Sequence, residues 1–213
     1  MIREQEALDA LPSAGFLPSY VRYGMHRTDA PAAYHIPVGL ALLSATAPGG
    51  LGLPWAPDPI RANIYCLLVG PSGDRKTAAI GLGAAVLRLA DDRALMDEVP
   101  GSPEALGTML AFEKGDDSDS GKGRKPQAAT DTRRLLIYKE FGSFLSSTVK
   151  GYGRPLREKY TEMFDANSTT IVYQKRRVEI RDPRLSILAA ATPSHLEEFS
   201  TPGDWEGGFL GRF

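Results

Sequence analysis

The chain has 213 residues, 42% of them hydrophobic, with 25 Lys/Arg against 26 Asp/Glu and a single cysteine. That length allows one sizeable globular domain, or one domain with a helical extension. The composition excludes a disulfide framework and a cysteine-based metal cluster, and no apolar run approaches the roughly 20 residues that span a bilayer.

The N-terminal stretch Met1-Ile2-Arg3-Glu4-Gln5-Glu6 is too polar for a signal peptide, so a cytoplasmic location is the expectation. The near-neutral total hides a segregation. Residues 1–113 carry 8 Lys/Arg and 12 Asp/Glu (net −4), whereas residues 122–184 carry 15 and 7 (net +8). The second stretch could present a basic face to nucleic acid or simply a solvated mixed-charge surface, and charge alone does not choose between them.

In chain order, residues 16–47 read as a helical preface. Phe16, Leu17, Tyr20, Val21 and Tyr23 form one apolar patch. Pro31 can open a second helix, in which Tyr34, Val38 and Leu42 recur at every fourth position and Leu43 widens the face. Pro37 interrupts its hydrogen bonding, which predicts a late start or a kink. Gly49-Gly50 closes the segment. The expected division is a helical preface over 1–50 and an α/β core over 51–213.

The six apolar residues Ile64 to Val69 predict a strand buried on both faces of a parallel sheet. Residues 76–95 predict a helix with Ile80, Leu87 and Leu95 among its apolar positions, and Gly81 and Gly83 allow close approach to the sheet. Pro103 to Phe112 reads as a short helix, and the polar stretch 114–132 as a surface loop. Leu135-Leu136-Ile137-Tyr138 gives a second buried strand, 155–165 a helix, and Leu185 to Ala191 a third apolar strand. Between the last two, Ile171-Val172-Tyr173 and Val178-Glu179-Ile180 flank Gln174-Lys175-Arg176-Arg177 as a hairpin. Strands separated by helices predict a three-layer α/β core with a mainly parallel sheet and an antiparallel hairpin insertion.

The first strand runs into Gly70-Pro71-Ser72-Gly73-Asp74-Arg75-Lys76-Thr77 and then the helix. That order builds a phosphate cradle for a nucleoside triphosphate. Loop amides and the positive helix end face an anion, Lys76 reaches the outer phosphates, and Thr77 can ligate Mg²⁺. The usual pattern, G-x-x-x-x-G-K-[ST], has glycine where this chain has Arg75. A left-handed backbone there costs a non-glycine residue roughly 1–2 kcal/mol. The competing reading is an ordinary Gly/Pro turn ahead of an amphipathic helix.

A triphosphatase also needs a carboxylate to position Mg²⁺ and usually another to prepare water for in-line attack. The second strand ends Tyr138-Lys139-Glu140, where an Asp-Glu pair would be usual. Lys139 takes the Asp position, which leaves Glu140 as the candidate for metal, water or both, against a plain strand-end glutamate. Thr192, after the third strand, is either a contact for the γ-phosphate or its attacking water, or the start of a turn. Arg212, in Gly207-Gly208-Phe209-Leu210-Gly211-Arg212-Phe213, is either a finger acting on a neighbouring copy's nucleotide or an ordinary surface arginine. Lys175, Arg176 and Arg177, with Tyr173 beside them, suit a nucleic-acid backbone with stacking on a base. Many hairpin tips are charged only for solubility. His26, His35 and His195 are scattered with no metal-ligand spacing.

Taken together, these pieces resemble P-loop ATPases related to the primase–helicase proteins of phages and mobile elements. The resemblance rests on Ala30-Pro31-Ala32-Ala33-Tyr34-His35, Gly39 to Ser44, Asn63-Ile64-Tyr65, Gly70 to Thr77, Glu140-Phe141, Leu185 to Thr192 and Gly208 to Phe213. Arginine before the lysine resembles a recurring variant in such proteins. The closing piece is similar to the finger-bearing segment of ring-forming AAA+ motors, and the hairpin to one that points into a central DNA channel. The resemblance implies an ATP-hydrolysing, DNA-associated helicase-like motor assembled as a homo-oligomeric ring, without membrane attachment. Such proteins continue with another strand, so a stop at Phe213 implies a C-terminally incomplete core, a sheet completed by another chain, or a tolerated open edge. An ATP-binding switch with little hydrolysis is the alternative, favoured by Lys139. A small-molecule kinase has less support, because no acceptor-site motif is evident.

Overall fold

The computed structural model describes residues 4–48, 51–55, 59–96, 98–111, 132–149, 154–165, 169–173, 176–180 and 182–213. Gly49, Gly50, Phe112, the polar stretch 114–131, Gln174 and Lys175 lie outside the described residues.

Three helices come first: α1 (Glu4–Asp9), α2 (Phe16–Arg27) and α3 (Ala32–Thr46). Pro31, at φ −67°, caps α3, and the Glu4 carboxylate accepts from the Ala32 amide at 2.9 Å. The helix runs through Pro37 from Ala32, so the expected late start does not occur. α3 is apolar nearly all round because it is an interior helix. It packs on α2, α4 (Lys76–Asp91) and three strands of the central sheet, β3 (Tyr65–Val69), β5 (Arg133–Tyr138) and β8 (Arg184–Ala191). Leu43, expected to widen its apolar face, is 40% exposed instead.

Two short strands, β1 (Gly52–Leu53) and β2 (Ile60–Arg61), form a separate antiparallel pair. The main sheet is four-stranded and parallel, in the order β3–β8–β5–β4, where β4 is Leu95–Met96. This corrects one expectation and refines another. Leu95 leaves the helix, which ends at Asp91 and passes through a 3-10 turn over Asp92–Ala94, and pairs with Leu135. The run Ile64 to Val69 sends Tyr65 into one core and Leu68 into the other, as expected, but β3 is an edge strand and its last residue, Val69, is 42% exposed. The strand buried along nearly its whole length is β8, from Leu185 to Ala191.

Side chains alternate across the sheet as the pleat requires. Leu68, Leu135, Leu188 and Ala190 join Tyr20, Val38, Leu42, Ile80 and Leu87 in the core under α2–α4. Tyr65, Leu136, Tyr138, Ile187 and Ala189 face the other core. There they meet α5 (Pro103–Ala111), α6 (Phe141–Val149), α7 (Arg154–Phe164), α8 (Pro193–Phe199) and the closing segment Phe209–Phe213. The chain is thus a mixed α/β fold with helices on both faces of a parallel sheet. The hairpin β6 (Thr169–Tyr173) and β7 (Arg176–Ile180) packs on α5, with Gly107 admitting Ile171. The last helix, α9 (Pro202–Glu206), is held by a capping box between Thr201 and Asp204.

Gly83 faces α3 rather than the sheet: a Cβ there would lie 2.4 Å from Val38 Cγ1, whereas one on Gly81 meets open space. Two alanines in one helix should therefore act with opposite sign. Gly81→Ala is expected to raise unfolding free energy by about 0.4–1 kcal/mol. Gly83→Ala is expected to lower it, because overpacking costs about 1–3 kcal/mol. Urea unfolding of the two variants checks this.

Candidate functional site

Three strand ends lie side by side at one edge of the sheet. Val69 pairs with Ala191, the Gly70 amide donates to the Ala191 carbonyl at 3.3 Å, and Tyr138 pairs with Ala189. The loop after β3, Thr192 after β8 and Glu140 after β5 therefore follow adjacent strands. The outer two are separated by two strand spacings, roughly 9–10 Å. This is the carboxyl edge of a parallel sheet, where open α/β folds bind ligands.

Loop 70–75 turns on two residues of positive φ, Gly73 at 85° and Arg75 at 60°. Arg75 is the left-handed N-cap of α4, and its carbonyl accepts from the Ala78 and Ala79 amides at 3.0 and 3.1 Å. The expected left-handed position is thus occupied by a non-glycine residue. The guanidinium is tied outside the loop, with Nε 2.7 Å from the Asp29 carboxylate. Lys76 is buried, and its ammonium donates to the Gly70 and Pro71 carbonyls at 2.7 and 2.6 Å. Pro71, Ser72, Gly73 and Thr77 are exposed. An exposed loop, a helix N-terminus and a lysine held among carbonyls suit an anion that would take those carbonyls' place.

Asp74 is turned beneath the loop. Its carboxylate accepts a short hydrogen bond from the hydroxyl of Tyr34, which also lies 3.5 Å from the Val69 carbonyl. Burial, then the Asp74 hydrogen bond and charge, push the Tyr34 hydroxyl up to about 12, so it stays a neutral donor at physiological pH. A Cβ on Gly70 would lie 2.1 Å from that hydroxyl and 2.6 Å from Asp74 Oδ2, so a side chain there would push the Tyr34–Asp74 pair aside. Sequence reading assigned Tyr34 to a helix face and missed its contact with the loop. The only signal was that a buried tyrosine hydroxyl needs a partner.

Lys139 and Glu140 are both exposed, in the turn between β5 and α6. A pocket of about 490 Å³ opens beside them, lined further by Tyr138, Ser143, Phe144 and the segment Val99–Gly101. Thr192 has a local structural duty: its hydroxyl caps α8, accepting from the His195 amide at 3.4 Å. It remains partly exposed at the shared edge.

Arg212 is not brought to these groups. Its Nη2 pairs with Asp165 at 2.9 Å, its Nη1 donates to the Gly208 carbonyl at 2.8 Å, and it lies over the Phe164 ring. The adjoining Phe213 packs on Tyr65, at the opposite end of β3 from the loop. The Arg212 Nε is buried with no partner among the described residues. Arg176 and Arg177 lie on β7, paired in register with Tyr173 and Val172, and Lys175 lies outside the described residues.

Among the described residues no three His, Cys, Asp or Glu side chains converge on a metal-sized gap. Mg²⁺ does not need such a group, since it keeps several waters and takes one or two protein oxygens beside phosphate. The Thr77 hydroxyl and Glu140 carboxylate fit that hard-oxygen donor set. No described helix is long and apolar enough to cross a membrane. Compared with known proteins, the chain matches no family model and no curated relative.

Proposed function

We propose that the chain is a P-loop NTPase core that binds MgATP in the loop Gly70–Thr77 and hydrolyses it within a DNA-associated, helicase-like motor. The observation that carries the reading is the loop itself. It leaves the carboxyl end of a parallel strand and enters a helix, with left-handed backbone at Gly73 and Arg75 and a buried lysine bridging its carbonyls. Lys76 would take the β- and γ-phosphates, and Thr77 with Glu140 would hold Mg²⁺, which neutralises charge building on the transferring phosphate. Glu140 is also the group able to polarise the attacking water, and Thr192 directly follows the strand between the two.

Ring assembly and DNA contact follow from the resemblance to phage and mobile-element primase–helicase proteins. Arg212 lies away from its own chain's loop, as a finger serving a neighbouring copy must. It would first have to leave Asp165 and Gly208. Lys175, Arg176 and Arg177 would meet single-stranded DNA.

A second reading, an ATP-binding switch with little hydrolysis, is favoured by Lys139 in the place of a second carboxylate. Turnover measured with and without single-stranded DNA, against Lys76→Ala as the blank, separates the two. Turnover that rises with DNA and with protein concentration supports the motor. Neutralising Lys175 and Arg176 is then expected to remove the DNA-dependent rise while leaving basal turnover. Tight MgATP binding with turnover no greater than that of Glu140→Gln supports the switch.

A further inference from the structure

The loop's two charged residues ahead of Lys76 are each held from outside by one short piece of chain. Asp29 lies between α2 and α3, and Tyr34 stands in the first turns of α3. Asp29 pairs with Arg75, and Tyr34 donates to Asp74. That piece of chain is itself firmly seated. Ala32, Val38 and Ala41 of α3 are fully buried, and the Thr28 hydroxyl joins the buried His35 ring at 2.9 Å.

We propose that Tyr34 and Asp29 are positioning residues for the anion loop, so that the N-terminal helices set its affinity for a triphosphate. The proposal rests on the nucleotide reading of the loop given above. Tyr34 acts by holding the Asp74 carboxylate beneath the loop, against Gly70 and away from an incoming polyanion. A released carboxylate at that place would repel phosphate. Asp29 acts on the backbone. Arg75 must keep φ at 60° for its carbonyl to start α4, a conformation that disfavours a side chain. The ion pair holds the side chain to the one geometry that goes with it. As an exposed pair, with side chains 59% and 62% accessible, it adds little to global stability. Its consequence is local to the loop.

This account separates positioning from general packing. Glycine at 75 adopts φ 60° at no cost and has no guanidinium to tether, so Asp29 should matter only while Arg75 is present. The test is a double-mutant cycle read by binding of a fluorescent MgATP analogue and by hydrogen exchange of amides 70–77 without nucleotide. Tyr34→Phe is expected to weaken binding about tenfold, the size of one hydrogen bond to a charged group, and to speed loop exchange. Asp29→Asn is expected to weaken binding about two- to fivefold in the Arg75 protein, the scale of an exposed ion pair, and not at all in the Arg75→Gly protein. Urea midpoints are expected to stay close to wild type, which separates loop effects from unfolding. Equal effects of Asp29→Asn in both backgrounds, or unchanged affinity and exchange in Tyr34→Phe, would overturn the proposal. If the wild-type protein binds no MgATP analogue, the nucleotide reading fails by itself, and exchange decides the positioning claim. Faster loop exchange in Tyr34→Phe then supports it, and unchanged exchange overturns it.

Discussion

Arg157→Ala is expected to lower the unfolding free energy by about 3–5 kcal/mol, the cost of removing one partner of a buried ion pair. Arg157 and Asp204 are 6% and 7% exposed, and their charges meet in a short ion pair. The guanidinium also donates to the Leu145 carbonyl and the Thr148 hydroxyl, each at 2.6 Å, and lies over the Phe209 ring. One side chain therefore fastens α9 and the closing segment to α6. Alanine would leave a buried carboxylate without its charged partner. Replacing both partners by apolar residues of similar volume should recover much of the loss, which distinguishes a stranded charge from a lost contact.

The same pair predicts a pH dependence. Burial alone would raise the Asp204 carboxyl, but hydrogen bonds from Arg157 and Thr201 outweigh it and hold the group below its usual range. A depressed folded-state value means that protons bind the unfolded chain more readily. The stabilisation is complete above the unfolded carboxylate value, about 3.9, and disappears as pH falls through the folded one. In Arg157→Ala the guanidinium's hydrogen bond and charge are gone while the hydrogen bonds from Thr201 remain, so the carboxyl is held down less. The stability gap between variant and wild type is therefore expected to narrow below pH of about 4 in urea titrations.

If the loop binds MgATP as proposed, Lys76→Ala is expected to weaken that binding by at least about 100-fold and to reduce turnover to the rate seen without protein. It removes the cation in a place where hydrogen bonds to charged groups are worth about 1.5–3 kcal/mol each. It also removes the bridge between the Gly70 and Pro71 carbonyls, so the loop loses its preset shape together with its charge. Gly70 and Lys76 are buried, so urea unfolding of the variant, measured beside binding, separates a lost site from a loosened loop. Glu140→Gln provides the contrast. It keeps the shape and loses the charge that acts on water or metal, so binding is retained while turnover falls about 10²–10⁴-fold if Glu140 is the base. Calorimetric titration and phosphate release on the two variants separate binding from chemistry.

The parts of the fold carried by local pattern were legible in the sequence. Apolar runs marked β3, β5 and β8, glycine and proline marked the loop, and two short runs flanking Gln174 to Arg177 marked the hairpin. Each signal depends on a residue and its near neighbours, the range over which backbone preference and period operate. Strand order was not legible, because an apolar run does not state what will lie beside it. β3 and β8 read alike, yet one is an edge and the other central. β4 escaped because two residues give no period. α6 escaped because it begins directly after Glu140, with Ser143, Ser146 and Ser147 blurring its apolar face.

The site divides in the same way. The chain by itself determined the loop chemistry, since Gly70 to Thr77 is contiguous and its backbone sets where the lysine and the helix end face. Only the tertiary structure decided that Glu140 and Thr192 end strands at the same edge, while Arg212 sits at the far end held by Asp165. It also decided that Asp74 belongs to Tyr34, 40 residues earlier, and Arg157 to Asp204, 47 residues later. Long-range polar pairs have no period and no local propensity. They exist only once packing has removed water and left each charge or hydroxyl with one partner within reach.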